Sequence, residues 1–199
     1  MYDEAFWNKR YADRNYLYGT EPNSFLTEHS SLLSSPVLSL SEGEGRNAVF
    51  LASRGLEVVG VDISAVALEK AERLAESCGV EIKTLVADLA TFEPEENYYG
   101  SVISISAHLP SPVRNRLYPL IERSLKRDGV VILEAFSENQ LSRSTGGPKD
   151  ADMLMTVEKL KQEFPNLEPV LLHEVEREVA EGAGHTGLAS VIQFIGRKQ

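Results

Sequence analysis

The residues with the most chemistry in their spacing form the run Ser41-Glu42-Gly43-Glu44-Gly45-Arg46-Asn47, just after the apolar stretch Val37–Leu40. Glycines at 43 and 45 let the backbone turn tightly and let a ligand touch main-chain atoms. A helix that starts directly afterwards presents free N–H groups to the same ligand. Asp62 and Ile63 close a second β-branched run at 57–61, and Asp88 and Leu89 follow a third run at 80–86. Carboxylates at successive strand ends border one opening. There, one can accept hydrogen bonds from ribose hydroxyls and the next can accept from an adenine amino group. A fourth run at 101–106 leads into Ser106-Ala107-His108-Leu109-Pro110, where His108 is placed to take a proton from an acidic nucleophile or to brace the following helix. The segment 143–149 carries Arg143, Gly146-Gly147 and Lys149, a composition that suits an anionic oxygen or carboxylate as well as a plain surface loop. His185-Thr186-Gly187 falls in the last glycine-rich turn and is a further candidate for the same opening.

These side chains need strands to carry them to one edge. Strand-like runs at 37–40, 57–61, 80–86, 101–106 and 130–136 alternate with helical patterns at 47–54, 65–78 and 112–126. Such alternation predicts parallel strands joined by crossover helices. Gly55, Gly79 and Asp128-Gly129 stop the three helices, and Ser64 and Pro112 suit two of their starts. Residues 137–155 are polar and read as a loop, and 156–164 as a helix. Strands at 170–179 and 188–195 follow with only a glycine-containing turn between them, so they pair antiparallel. The fold class is therefore α/β: a Rossmann-like doubly wound, mostly parallel seven-stranded sheet ending in an antiparallel strand pair. We read residues 1–199 as a single domain with an N-terminal arm at 1–35 and an α/β core at 36–199. The aromatic arm from Tyr2 to Tyr18, including Phe6, Trp7 and Tyr11, is a candidate lid, although its spacing also suits packing on the core.

The 199 residues hold 20 Lys and Arg against 30 Asp and Glu, a net charge of −10. That field repels polyanions, so nucleic acid is a poor partner, whereas a small molecule is not excluded. Cys78 has no second cysteine to pair with, no zinc spacing occurs and no metal is expected. The acidic, aromatic start is not that of a signal peptide, and the apolar runs are strand-length rather than membrane-length. We therefore expect a cytoplasmic protein, without membrane partners, as monomer or homodimer. Gly43-x-Gly45-x-x-Ala48 also satisfies a dinucleotide fingerprint, which would make the chain a nicotinamide-dinucleotide-dependent oxidoreductase. Against that stand Glu42 and Glu44 beside a would-be pyrophosphate, the closing antiparallel pair and the lack of an obvious second domain.

The segments Trp7-Asn8-Lys9-Arg10-Tyr11, Tyr18-Gly19-Thr20-Glu21-Pro22-Asn23, Glu42-Gly43-Glu44-Gly45-Arg46-Asn47 and Gly60-Val61-Asp62-Ile63-Ser64 carry a resemblance over nearly the whole chain. It resembles the class I S-adenosylmethionine-dependent methyltransferases, and among them the small-molecule group that includes tellurite-resistance and thiopurine methyltransferases. The resemblance implies that S-adenosylmethionine is the cofactor. Ser41, Glu42, Gly43, Gly45, Arg46 and Asn47 would hold its methionine part, Asp62 and Ile63 its ribose, and Asp88 and Leu89 its adenine, with Ser106 at the fourth strand end. Trp7, Tyr18, His108, Arg143, Lys149 and His185 would line the acceptor side, His108 being the catalytic candidate. The acceptor would be a small molecule, such as a thiol, selenium or tellurium species. Such families carry Asp, Gly and Cys where this chain has Ser39, Ser41 and Glu42. Glu42 would then replace the missing carboxylate; with Ser39 and Ser41 in those places, the alternative is a non-catalytic cofactor-binding protein of the same fold.

Overall fold

The computed structural model describes residues 3–199; Tyr2, where the candidate lid was taken to begin, lies outside them. Six helices are present among these residues: α1 (Glu4–Arg10), α2 (Ser24–His29), α3 (Arg46–Ser53), α4 (Ala65–Ser77), α5 (Ser111–Ser124) and α6 (Val157–Glu163). The strands are β1 (Val37–Leu40), β2 (Val58–Asp62), β3 (Lys83–Val86), β4 (Tyr99–Ile105), β5 (Leu125–Phe136), β6 (Leu167–Glu181) and β7 (His185–Lys198). They form one sheet in the order β3-β2-β1-β4-β5-β7-β6. β1 to β5 run parallel, and β7 inserts antiparallel between β5 and β6. The expected fold class is thus the observed one.

Alternation along the central strands builds a core on each face. Val131, Leu133 and Ala135 of β5 pack with Leu117, Tyr118 and Ile121 of α5 and with Leu160 and Phe164 of α6. Val130 and Ile132 point the other way, onto Phe25 and Leu26 of α2 and Ala48 and Leu51 of α3. A strand covered on both sides must be apolar on both, which is why 130–136 is apolar at every position but Glu134. Strand order reverses at β1, between β2 and β4, so the crevice beyond its carboxyl end is where a ligand fits.

Several boundaries differ from the sequence expectation. β3 is only Lys83–Val86, not 80–86, because Val80 instead caps α4 by donating to the Ala75 carbonyl at 3.0 Å. α5 ends at Ser124, before the expected 126, and β5 begins at once. Its pairing with β4 jumps from Leu125 opposite Tyr99 to Val130 opposite Ser101, so 126–129 loop out with Asp128 at φ +64°. The 137–155 loop contains two short 3-10 turns. The final hairpin is far longer than 170–179 and 188–195, and the turn is only Gly182-Ala183-Gly184. Among the described residues no helix is long and apolar enough to cross a membrane.

Candidate active site

The loop after β1 is held open from beneath. Ser41 has φ +50° and Gly43 φ +64°, both left-handed. The Gly43 amide donates to the Asp62 carboxylate at 2.8 Å, and the Ser64 amide donates to its other oxygen at 2.9 Å. An ionised carboxylate has about four acceptor positions, so Asp62 has room for ribose hydroxyls. Burial raises the Asp62 pKa, while the amides of Ser64, Gly43 and Ile63 work against that shift. Gly45 has φ +96° and is pressed on α4, where a Cβ would stand 2.6 Å from the Ala71 Cα. Only glycine fits there.

Glu42 does not face the crevice. Its carboxylate runs under the loop, accepting from the Ser39 hydroxyl and from the Ala48 amide, the latter at 2.9 Å. Its stem lies against Gly60 of β2, where a Cβ would come within 3.0 Å. Glu42 thus puts a carboxylate beside Ser39, the position where the resembling families keep an acid. Glu44 also turns away. It accepts from the Leu17 amide at 2.7 Å and forms an ion pair with Lys70. The acids that seemed set against a pyrophosphate therefore do not confront the ligand, and that argument against a dinucleotide lapses. The sheet order with its inserted antiparallel β7 stands in its place.

The N-terminal arm covers this crevice. Asn8 accepts from the Ser64 hydroxyl at 2.7 Å, which docks α1 on the start of α4. The Tyr11 ring is buried, and a Cβ on Gly43 would lie 3.2 Å from its hydroxyl. Burial, with the nearby Asp62 charge, pushes the Tyr11 pKa well up. Lys70 is the bolt: its ammonium donates to the carbonyls of Asn15 at 2.7 Å and Asp13 at 2.9 Å while paired with Glu44. Trp7 stacks on Tyr11 at 5.6 Å, Tyr11 meets Tyr18 edge-on at 6.3 Å, and Tyr18 tilts over His185 at 4.7 Å. Phe136 continues this wall, 5.1 Å from His185 on one side and stacked at 5.1 Å on His108 on the other. An aromatic wall thus runs from the cofactor loop to the end of β4.

Beside the wall lies a buried ionic network. Glu181 takes Arg46 at 2.8 Å, Arg177 at 3.2 Å and the Asn23 amide group at 2.9 Å. Glu134 takes Arg177 at 3.1 Å, Gln193 at 2.7 Å and Asn23 at 2.7 Å. A cavity of about 10 Å³ remains between Ser106, Glu134, Phe136, Arg177 and Glu181. Ser106 itself has φ +57°.

The remaining sequence candidates are less uniformly placed. Asp88 is exposed, capping its own turn by accepting from the Ala90 amide, while Leu89 is buried. Asn47 accepts from the Asn23 amide at 3.0 Å and so joins α3 to the arm. Arg143 pairs with Glu176, and Lys149 is exposed and donates to the Arg143 carbonyl. Neither ring nitrogen of His108 has a hydrogen-bond partner. Burial, helped by neighbouring His185, pulls the His108 pKa down to about 3. His185 is not in the turn but is the first, buried residue of β7. Sequence reading passes over Tyr11 as a site residue and over Lys70, Glu134 and Glu181 altogether; Arg177 reads as part of a solvated charged strand face, whereas it pairs with buried Glu134 and Glu181. Two signals were available: Lys70 sits on the buried stripe of α4 between Ala67 and Ala71, and Glu134 interrupts the apolar run of β5.

A family model described as "Methyltransferase domain" matches residues 37–129, the segment that carries β1 to β4, the glycine loop and Asp62. No curated protein sequence matches the chain. Solved structures resemble it closely in fold. One, of a protein studied for the conversion of a disulfide bond into a thioacetal group during echinomycin biosynthesis, is 16% identical with TM-score 0.79 over 98% of this chain and 92% of its own. TehB from Haemophilus influenzae is 18% identical with TM-score 0.72, over 98% of this chain and 67% of its own. A SAM-dependent methyltransferase from Anabaena variabilis is also 18% identical with TM-score 0.72, over 98% and 93%. Just under half of the chain thus matches a methyltransferase-domain model, on a fold shared with solved S-adenosylmethionine-dependent methyltransferases, so S-adenosylmethionine is the ligand to set against the site. The residues fit that ligand: bare backbone at Gly43, a carboxylate with free acceptor positions at Asp62, and unpartnered polar atoms at Ser104 and His108 on the β4 side.

Proposed function

We propose that the protein transfers a methyl group from S-adenosylmethionine to a small-molecule acceptor, with a thiol, selenium or tellurium species as the class tested first. The observation that carries this is Asp62, clamped at the end of β2 by the Gly43 and Ser64 amides beneath an aromatic cover. In this reading Ser41, Gly43 and Gly45 shape the bed for the methionine part, and Asp62 with Ile63 takes the ribose. Asp88 and Leu89 flank the adenine. Glu42, Arg46 and Asn47 act from behind, bracing the loop through Ser39, Glu181 and Asn23.

The cofactor supplies a methyl carbon bonded to a positively charged sulfur, so the protein has chiefly to position and dehydrate. Trp7, Tyr11 and Tyr18 do the latter as a closed aromatic cover, and ring faces favour a cation beside them. The acceptor side is walled by Tyr18, Phe136, His108 and His185. Arg143 is taken up by Glu176 and Lys149 is exposed, so support for an anionic acceptor held by that loop is weak.

Isothermal titration with S-adenosylhomocysteine tests the reading, and binding is expected. Asp62→Ala should weaken it by about 1–3 kcal/mol through loss of buried hydrogen bonds. Unchanged affinity in that variant, or no binding by the native chain, would overturn the assignment.

A further inference from the structure

We infer that His185, oriented by Glu181, is the group that receives the acceptor's proton, and that the acceptor is accordingly a small neutral acid, a thiol. The inference rests on the methyl-transfer reading above and assigns a residue and an acceptor class within that site.

The geometry of the His185 ring carries it. The ring is buried between Tyr18 at 4.7 Å and Phe136 at 5.1 Å, so it cannot swing freely. Its Nδ1 edge faces the Glu181 carboxylate at 3.6 Å, an ion-pair distance, and Nδ1 has no hydrogen-bond partner. A carboxylate on that edge favours the tautomer with the proton on Nδ1, which leaves a lone pair on Nε2, as in other carboxylate–histidine pairs. The Nε2 edge points the opposite way, toward Gly146, where a Cβ would stand 3.3 Å from it. Gly146 packs closely on the same edge, where a Cβ would stand 2.6 Å from Cδ2, so only backbone and no side chain meets Nε2 there.

Glu181 is held in turn, by Arg46 of α3, Arg177 of β6 and Asn23 of the arm. The charged and titratable groups around His185 are therefore Glu181 and Arg177 on β6, Arg46 on α3, Tyr18 on the arm and His108 after β4. The two arginines are matched by Glu134 and Glu181, so the wall offers no net charge to an ionic acceptor. A neutral acceptor matches such a wall, and a neutral thiol must lose a proton to become a sulfide product. His108 is a poor recipient: its ring lies flat on Phe136, and burial holds it neutral down to about pH 3.

The step balances as follows. The acceptor sulfur forms a bond to the methyl carbon, and its proton passes to His185 Nε2. The old sulfur–methyl bond breaks with its electron pair left on the donor sulfur, which becomes neutral. His185 returns its proton to solvent once the arm opens.

Two measurements test this. In native full-length protein without cofactor, nitrogen-15 NMR of the imidazoles, assigned with His185→Gln, should show His185 protonated at Nδ1 and bare at Nε2. A proton on Nε2 instead would overturn the inference. Turnover of 2-mercaptoethanol should then be compared with that of benzeneselenolate, which is already an anion. His185→Gln should lower kcat for the neutral thiol by about 100-fold or more, with KM little changed and selenolate turnover nearly intact. An equal loss on both acceptors would assign His185 a purely structural part. Should His185→Gln not fold, the native tautomer still decides. Failure of S-adenosylhomocysteine to bind would defeat the methyl-transfer reading and is seen separately, by calorimetry.

Discussion

At Glu42 burial outweighs hydrogen bonding. The Ser39 hydroxyl and the Ala48 amide favour the carboxylate, yet desolvation beneath the loop raises the pKa from 4.5 to about 7. A raised folded-state pKa contributes stability that is full below the unfolded value and is lost as pH rises through the folded one. Native protein should therefore lose up to about 3 kcal/mol of stability between acid and mildly alkaline pH on this account alone. Glu42→Gln should remove that slope, making the variant relatively more stable above pH ~7 and relatively less so near pH ~5. Urea unfolding across that range checks it, and parallel curves for the two proteins would contradict the burial argument. The sequence leads one to expect a carboxylate at 42 standing in, from three residues further on, for one at 39. It does not show that the group points down rather than into the crevice. Side-chain direction in a loop is set by neighbours, here Gly60 on the next strand, which spacing along the chain does not reveal. Ser41 shows the converse: at φ +50° it keeps a left-handed backbone that glycine holds at less cost.

At the level of elements, the arm and α4 are joined by one buried cation. Lys70 satisfies the carbonyls of Asp13 and Asn15 and neutralises Glu44, which in turn caps the Leu17 amide. Lys70→Met should leave Glu44 buried and unpaired, costing about 3–5 kcal/mol. The double variant Lys70→Met/Glu44→Gln should recover much of that, and trypsin should cut at Arg10 and Arg14 faster in the single variant. Equal melting temperatures and cleavage rates for native and Lys70→Met protein would remove the bolt from this account. Strands β1, β2 and β4, with their helices, were legible because each has a clear period and a stop signal. The hairpin β6–β7 was only half legible. Its edge strand alternates charged residues with Val175 and Val179, and its tip is rich in glycine, so its ends resemble loop. What extends it is pairing with β7 from Leu167 opposite Lys198 to Glu181 opposite His185. Those partners are distant contacts that local propensity does not report.

For the whole molecule, the crevice is closed by two pieces far apart in the chain. The Gly184 amide donates to the Leu17 carbonyl at 3.1 Å, and Cβ atoms at Gly182 and Gly184 would collide with Leu17 and Tyr18. Arm and hairpin tip therefore meet at this junction, and parting of the two would admit a ligand. Hydrogen exchange at the Gly184 amide should be fast relative to core strands in the free protein and slow by tenfold or more when S-adenosylhomocysteine is bound. Equal rates in both states would mean that the cover does not open for the ligand. The same junction has a consequence for how the protein is made. Domains fold as they emerge from the ribosome, early segments first. The arm is synthesised well before the hairpin tip, so on the ribosome Leu17 and Tyr18 have no Gly182 or Gly184 to close on. β1 to β5 and α4 can assemble and take up Tyr11 and Lys70 while Tyr18 still lacks its partners Gly184 and His185. In that interval the Tyr18 ring stays uncovered, and the last hairpin closes both sheet and arm in one step.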